Sequence, residues 1–420
     1  MKAIVVMLLM SIASFAQNAH SETSVKISPA EQSMAIAKRL IDKNPNNCDA
    51  YNALAFALSR RARETSDVTF YTRAEEALQK SLAIAPANSG AERIEVWLLL
   101  GKHEFAEARE AARKLSQRIP GDIMTYGFLT DANVELGNYD EAEKDAQKML
   151  DLKAGNMPGV TRAAYLRELF GDLDGALELM QMAYESTPPA EVEDRAWILT
   201  QIAHLDLASG RISNAEQSLN QALDLFPGYH YALANLAKVR TLQKRDNEAV
   251  SLLDQRYRAA PHAENLFDLA HAMELAGRKD DARKAYAEFE QRSLAESAKA
   301  DNSNHELTFY YANVAREPAK ALEVARREFA RRHDVFTLDA YAWALFVNGQ
   351  YGEARQQSER ALQVGIRDAT LLRHAAEIAL KCGDQRAGEK YLRASFEATT
   401  IESEPGIGLF EQFRPPSMER

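Results

Sequence analysis

Small and apolar residues recur along this chain at a fixed spacing. Gly210, Ala215, Leu219, Ala222 and Pro227 occupy offsets of 0, 5, 9, 12 and 17 residues. The spacing returns, in whole or in part, at Gly137, Ala142, Ala146 and Met149, at Gly171, Ala176, Met180, Ala183 and Pro188, and at Gly349, Ala354, Ser358 and Ala361. Between regular copies the period is 34 residues, as from Gly137 to Gly171. Such a period predicts an array of helical hairpins, each too small to bury its own apolar face.

The unit between Ala196 and Pro227 shows how one hairpin is built. Its first helix carries Leu199, Ile202 and Ala203 on one face, at the three-and-four spacing of a packed helix. Gly210 ends that helix because a left-handed turn penalises a Cβ atom. The second helix is predicted over 214–225. It ends before Pro227, which cannot continue a helix.

These residues resemble the tetratricopeptide repeat family: a small residue in the first helix, glycine at the turn, then Ala, a large apolar residue, Ala and Pro. The resemblance covers nearly all of the chain after its first residues. It implies an all-α fold, a right-handed superhelical solenoid of stacked antiparallel helix pairs with about ten repeats. It also implies that the first helices of successive pairs line a concave surface along which partners lie.

The pattern divides the chain into five segments. We expect an export signal over residues 1–19 and a linker over 20–28. An array over 29–300 has an N-terminal cap helix and about seven repeats, and a second subarray over 301–400 has about three. The break falls near residue 300 because the preceding helix lacks a terminal Pro and a polar stretch follows. The tail over 401–420 is expected to cover the last repeat or to be disordered.

The first residues have the composition of an export signal. Lys2 is followed by an almost wholly apolar stretch over 3–12, and small residues near Ala16 suit cleavage. The apolar stretch is shorter than the roughly 20 residues that span a bilayer. The sequence therefore predicts an exported bacterial protein, periplasmic or secreted, with no stable membrane insertion after the signal is removed.

Composition restricts the class of partner. Hydrophobic residues make up 46% of the chain and charged residues 27%, which is typical of globular proteins. The net charge is −10 with acids and bases interspersed, and this argues against nucleic acid, which needs a concentrated basic surface. The two cysteines, Cys48 and Cys382, lie in the first and last full repeats, so we expect no disulfide between them.

Candidate partner-binding residues follow from the helix face opposite the packed one. Aromatic residues on a solvated face usually mark interaction surfaces. Packing on the neighbouring repeat is the alternative, and it is open for Trp197, Tyr231, Phe267 and Trp343. His204 and His271 occupy equivalent places two units apart, about 20 Å from each other, too far to share a metal. The predicted groove residues are Phe56, Tyr165, Trp197, His204, Tyr231, Lys238, Phe267, His271, Phe336 and Trp343.

Motifs for catalysis are missing from the sequence. It has no phosphate-binding GK[ST] loop, no G-x-S-x-G turn and no C-x-x-C pair. His103–Glu104 starts a zinc-type motif but lacks the second histidine four residues on. We therefore expect no cofactor, no metal site and no enzyme activity.

Three hypotheses remain for the function. The first is a non-catalytic scaffold that binds a polypeptide partner, of unknown identity, in the concave groove. The second is a small-molecule or glycan binder in the same groove, possibly with weak hydrolytic activity, in which Trp197 and Trp343 stack sugar rings. The third is a self-assembling structural array.

Overall fold

A computed structural model describes residues 28–297 and 304–399, and this part of the chain contains helices and no strand. The predicted export signal, most of the predicted linker and the predicted tail lie outside it. The helices are α1 (Pro29–Lys43), α2 (Cys48–Thr65), α3 (Thr69–Ile84), α4 (Ser89–Gly101), α5 (Phe105–Arg118), α6 (Ile123–Glu135), α7 (Tyr139–Leu152), α8 (Met157–Leu169), α9 (Leu173–Ser186), α10 (Val192–Ala208), α11 (Ile212–Leu225), α12 (His230–Leu242), α13 (Asp246–Ala259), α14 (Ala263–Leu275), α15 (Lys279–Glu296), α16 (Asn304–Phe309), which continues as a π-helical turn (Tyr310–Val314), α17 (Pro318–Phe329), α18 (Val335–Val347), α19 (Tyr351–Gln363), α20 (Ala369–Lys381) and α21 (Gln385–Thr399).

After α1, the helices pack in consecutive pairs, from α2 with α3 to α20 with α21. The periodic small residues form the seam of each pair, as Ala215, Leu219 and Ala222 do in α11, where all three are fully buried. This confirms the predicted all-α solenoid of stacked helix pairs. The division into two subarrays at residue 301 stays a prediction.

Left-handed turn residues join the two helices of each pair. Gly137, Gly171 and Gly210 have φ between +72° and +83°, as the spacing predicts. Lys244 takes the same conformation, with φ at 60°. A lysine adopts this turn at a cost of about 1 kcal/mol relative to glycine.

The turn of the second pair lies two residues later than the glycine suggests. Gly101 is the last residue of α4, and the left-handed residue is His103, with φ at 58°. Gly101 is required for packing, because a Cβ atom there would lie 2.7 Å from the ring of Tyr71. Glycine at this position permits close packing of α4 against α3.

The solenoid also curls until repeats far apart in sequence touch. The His333 N–H donates to the Glu135 carbonyl at 2.9 Å, which joins the segment after α17 to the end of α6. The Val335 N–H donates to the Tyr139 hydroxyl at 3.0 Å. One repeat further along, a Cβ atom on Gly171 would lie 2.6 Å from the Gly365 carbonyl oxygen. We call these three contacts the closure.

A second long-range contact brings α2 against α10 and α12. Glu193, fully buried in α10, accepts from Arg60 at 3.1 Å and from Arg63 at 3.0 and 2.5 Å. His230 in α12 makes a hydrogen bond of 3.0 Å between its Nε2 and the Arg63 carbonyl. Packing by nearest neighbours alone, which the repeat pattern implies, therefore describes the array incompletely.

Neither cysteine forms a disulfide, in agreement with the sequence expectation. Across the two described ranges, no helix has both the length and the apolar character needed to cross a membrane.

Candidate binding groove

Side chains on the inner face of the array come from fixed positions relative to each left-handed turn residue. Trp97 stands six residues before His103, and Tyr165 stands six before Gly171. Phe56 lies ten residues before Ser66, the left-handed residue of the first pair. Trp197 stands thirteen residues before Gly210, and Phe128 stands nine before Gly137. At about 100° per residue, offsets of six, nine, ten and thirteen lie within one helix face.

Five aromatic residues from five successive first helices line one concave site. We call it the aromatic groove, and its residues are Phe56, Trp97, Phe128, Tyr165 and Trp197. The ring centroids of Phe56 and Trp97 lie 5.8 Å apart, and those of Trp97 and Phe128 lie 6.0 Å apart, both edge to face. The groove encloses about 580 Å³, within the range of ligand sites.

Two of these rings are open to solvent. Phe56 is 42% exposed and Tyr165 is 37% exposed, while most large apolar side chains of the array are buried. Protein nevertheless surrounds the groove in which Tyr165 lies. This burial, with the negative charges of Glu135 and Asp334, raises the pKa of Tyr165 well above its usual 10. The Tyr165 hydroxyl is therefore a neutral donor at neutral pH.

Each arginine of the groove is already held by a carboxylate. Arg93 donates to Asp122 at 2.8 Å, and Arg162 donates to both oxygens of Asp131 at 2.8 and 2.5 Å. Burial alone would raise the pKa of Glu193, but its two arginines outweigh burial and hold that pKa below its usual value. The groove is therefore apolar, with a charge-balanced rim.

A second cavity adjoins the aromatic groove and shares Arg63, Trp97 and Asp131 with it. We call it the polar chamber, and its other principal residues are Tyr231, His262 and Glu264. It encloses about 370 Å³. Its walls come from α2 and α4 on one side and from α12 and α14 on the other, so it exists only because the array curls.

The part of the protein that carries Arg256 and Arg332 forms the wall beyond the chamber. On this wall, carboxylates outnumber cations. Arg256 is held by Glu264 and Asp268. Arg332 is held by three carboxylates within 3.5 Å, namely Glu135, Glu328 and Asp334. Five carboxylates thus surround two guanidinium groups, and the potential at this wall is negative.

Two of these carboxyl groups titrate abnormally as a result. Burial, followed by the charge of Asp334, raises the pKa of Glu135 to about 7. Although 42% of the Glu264 side chain is exposed, protein surrounds the chamber onto which it opens. That burial, with the charge of Glu306, raises the pKa of Glu264.

Four of the predicted groove residues line these two cavities. Phe56, Tyr165 and Trp197 line the aromatic groove, and Tyr231 lines the polar chamber. Burial, with the charge of Glu264, raises the pKa of Tyr231 to about 12, so its hydroxyl also stays protonated.

Three predicted aromatic residues pack inside the array instead. Phe267 contacts the rings of Tyr286 and Phe289, with centroids 5.9 and 5.1 Å away. Trp343 is 9% exposed and stacks on His374 at 4.1 Å. Phe336 packs, partly buried, against the apolar core around Val335 and Leu338.

The remaining three predicted residues lie outside both cavities. His204 Nε2 bonds Glu168 Oε1 at 2.7 Å, linking α10 to α8. Lys238 and His271 are exposed to solvent. Among the described residues, no group of three or more His, Cys, Asp or Glu side chains is arranged to hold a metal ion.

Sequence reasoning missed Trp97, the residue shared by both cavities. Gly101 is the glycine nearest to this turn, and an offset of six from it reaches Glu95. Counting from His103 reaches Trp97. The 34-residue period indicates the correct turn residue, because His103 and Gly137 are one period apart whereas Gly101 and Gly137 are not.

The fold and the two cavities define a helical-repeat protein with a concave inner face. Human IFIT1 is similar in fold: the dimer with PPP-AAAA has 11% identity and a TM-score of 0.50, over 90% of this chain and 96% of that one. The human IFIT1 dimer with m7Gppp-AAAA has 13% identity and a TM-score of 0.50, over 90% of this chain and 97% of that one. PilW, a type IV pilus biogenesis factor, has 13% identity and a TM-score of 0.42, over 49% of this chain and 94% of that one.

No family model matches the chain, and no curated protein sequence matches it. At these identities the likeness to IFIT1 concerns the fold alone. It supports the tetratricopeptide-type fold that the repeat spacing predicts.

Proposed function

We propose that this protein is a non-catalytic scaffold that holds an extended polypeptide segment in the aromatic groove. The observation that carries the proposal is the convergence of five aromatic side chains from five repeats, two of them open to solvent. Clustered aromatic residues in a concave site are the typical anchors of protein interfaces. The groove is built before binding, so the scaffold loses little conformational entropy when a partner docks.

An extended peptide suits the groove in size and chemistry. A peptide rises about 3.3 Å per residue, so alternate side chains can reach successive rings along the wall. Burying an aliphatic or aromatic side chain contributes roughly 1.5–3 kcal/mol. Two or three anchors therefore offset the entropic cost of association and give micromolar binding.

Electrostatics disfavour a nucleic acid in this site. The IFIT1 structures hold PPP-AAAA and m7Gppp-AAAA, but phosphate binding requires unpaired basic side chains. Here Arg93, Arg162 and Arg63 are each paired with carboxylates, and the wall beyond the chamber is negative.

The glycan alternative loses its proposed tryptophan pair. Trp197 lines the groove, but Trp343 stacks on His374 and donates its Nε1–H to Asn313 at 2.8 Å. An exported location, periplasmic or secreted, stays a prediction that rests on residues 1–19.

Peptide selection followed by calorimetry tests the proposal. Peptides chosen from a random library on the full chain should lose about thirty-fold or more in affinity on Phe56→Ala/Tyr165→Ala. Both residues are partly exposed, so the double variant should still fold. The matched control is Ile36→Ala/Met182→Ala, which removes two side chains, each 52% exposed, outside the groove. Equal binding by both variants would contradict the groove as the site.

A further inference from the structure

We propose that the polar chamber binds a cationic group of the docked segment, a lysine ammonium or an arginine guanidinium, beside Glu264. This inference rests on the proposed function, because the chamber adjoins the aromatic groove and shares Arg63, Trp97 and Asp131 with it. It requires a partner segment in which an apolar anchor residue lies next to a positively charged residue.

Glu264 is the chamber carboxylate with an available oxygen. Its Oε1 accepts from Arg256 Nη2 at 3.1 Å. Its Oε2 accepts no hydrogen bond from any described residue, and His262 Nδ1 lies 3.8 Å away, beyond hydrogen-bond range. By contrast, Asp131 gives both oxygens to Arg162. A cation entering the chamber therefore finds Glu264 Oε2 as its acceptor.

His262 supplies an independent indication of a missing polar partner. Its side chain is 10% exposed and lines the chamber. Its Nε2 has no hydrogen-bond partner among the described residues, and the nearest carboxylate oxygen, Glu296 Oε2, is 3.8 Å away. A buried polar atom without a partner is costly, and neutral histidine has one nitrogen that accepts a hydrogen bond. Glu296 Oε2 is likewise buried without a hydrogen-bond partner, so the described residues leave polar groups unsatisfied behind this wall of the chamber.

The charges around the chamber favour a cation over an anion. Arg63, its one arginine, is engaged by Glu193 and Asp194 on α10. Opposite it, Arg256 is shared between two carboxylates, and Glu306 lies near enough to raise the pKa of Glu264. The wall therefore carries excess negative charge that a bound cation relieves.

Aromatic faces complete the site. Trp97 and Tyr231 line the chamber, and a cation over an aromatic face gains further electrostatic attraction. The chamber volume of about 370 Å³ is enough for a lysine or arginine side chain.

The test uses peptides from the groove selection, remade in matched sets. One position holds Lys, its uncharged analogue norleucine, or Glu, and affinities are measured for the full chain and for Glu264→Gln. The substituted position is moved along the peptide one residue at a time. We expect the best Lys peptide to bind the wild type about tenfold tighter than its norleucine analogue. In Glu264→Gln this preference should fall below about threefold, with norleucine affinity unchanged.

Controls separate this inference from the proposed function. Glu110→Gln, at a side chain 60% exposed on α5, lines neither cavity and should keep the full lysine preference. If Lys and norleucine peptides bind the wild type equally and Phe56→Ala/Tyr165→Ala weakens both, the groove stands and the cation site is overturned. If Glu264→Gln keeps the preference, the assignment to Glu264 is wrong. Absence of groove-dependent binding overturns both proposals.

Discussion

Glu135 is the residue at which two distant parts of the array meet. Its carboxylate accepts from Arg332 at 3.1 Å, and its carbonyl accepts from the His333 N–H. Burial and the charge of Asp334 raise its pKa to about 7, against about 4.5 in an unfolded chain. Because the folded state holds this proton more tightly, the stability from Glu135 is complete below about pH 4.5 and is lost as pH rises through 7.

Replacing Glu135 with glutamine should flatten this dependence. Between pH 8 and pH 5, the free energy of unfolding of the wild type should rise relative to that of Glu135→Gln by about 1–2 kcal/mol, allowing for solvent screening. Urea denaturation at four pH values measures it. Glu110→Gln, at an exposed side chain, serves as the control and should run parallel to the wild type. Parallel curves for Glu135→Gln would contradict the raised pKa.

At the residue scale, helical spacing alone predicts which face of a helix a side chain occupies. Phe56, Tyr165 and Trp197 were found that way, and they line the groove. Phe267 and Trp343 share that face but are covered by their own neighbours. Spacing identifies the face, whereas the curl of the array decides which parts of it stay open.

At the scale of single elements, the helical pairs depend on one residue in the left-handed region. Glycine takes it without penalty, whereas Lys244 takes it at φ 60° with a Cβ atom. The pairs were predictable because each one packs through contacts local in sequence. The turn at His103 is the exception, because the nearby glycine, Gly101, is needed for packing and is not the left-handed residue.

Two opposite substitutions test the turn energetics. Lys244→Gly should raise the free energy of unfolding by up to about 1 kcal/mol, since it removes the left-handed strain. Gly349→Ala should lower it by about the same amount, because φ there is +77° and a Cβ atom would meet nothing within 4 Å. Denaturant midpoints measure both. A destabilised Lys244→Gly would show that the lysine side chain contributes more than the strain costs.

At the scale of the whole molecule, the closure distinguishes this array from an open solenoid. In an open solenoid, stability is a sum over neighbouring repeats. Here α6 and α8 also meet segments almost two hundred residues later in the chain. The repeat spacing could not predict this, because it specifies contacts within and between adjacent pairs and leaves the cumulative curl undetermined.

Matched glycine pairs isolate the closure. Gly137→Ala/Gly171→Ala places Cβ atoms 2.8 Å from the His333 carbonyl oxygen and 2.6 Å from that of Gly365. Gly349→Ala/Gly383→Ala carries the same left-handed strain with nothing within 4 Å. We expect the first pair to be less stable than the second by about 1–3 kcal/mol and to scatter X-rays as a larger particle. Equal stability and size would show that the closure contributes nothing.

Hydrogen exchange at the His333 amide tests the closure most directly, since its backbone acceptor is the Glu135 carbonyl, 2.9 Å away. We expect this amide to exchange at least about a thousandfold more slowly than an unstructured one. The protection should persist in Gly349→Ala/Gly383→Ala and disappear in Gly137→Ala/Gly171→Ala. Exchange in the wild type at the rate of an open loop would contradict the closure, and with it the two-sided walls of the polar chamber.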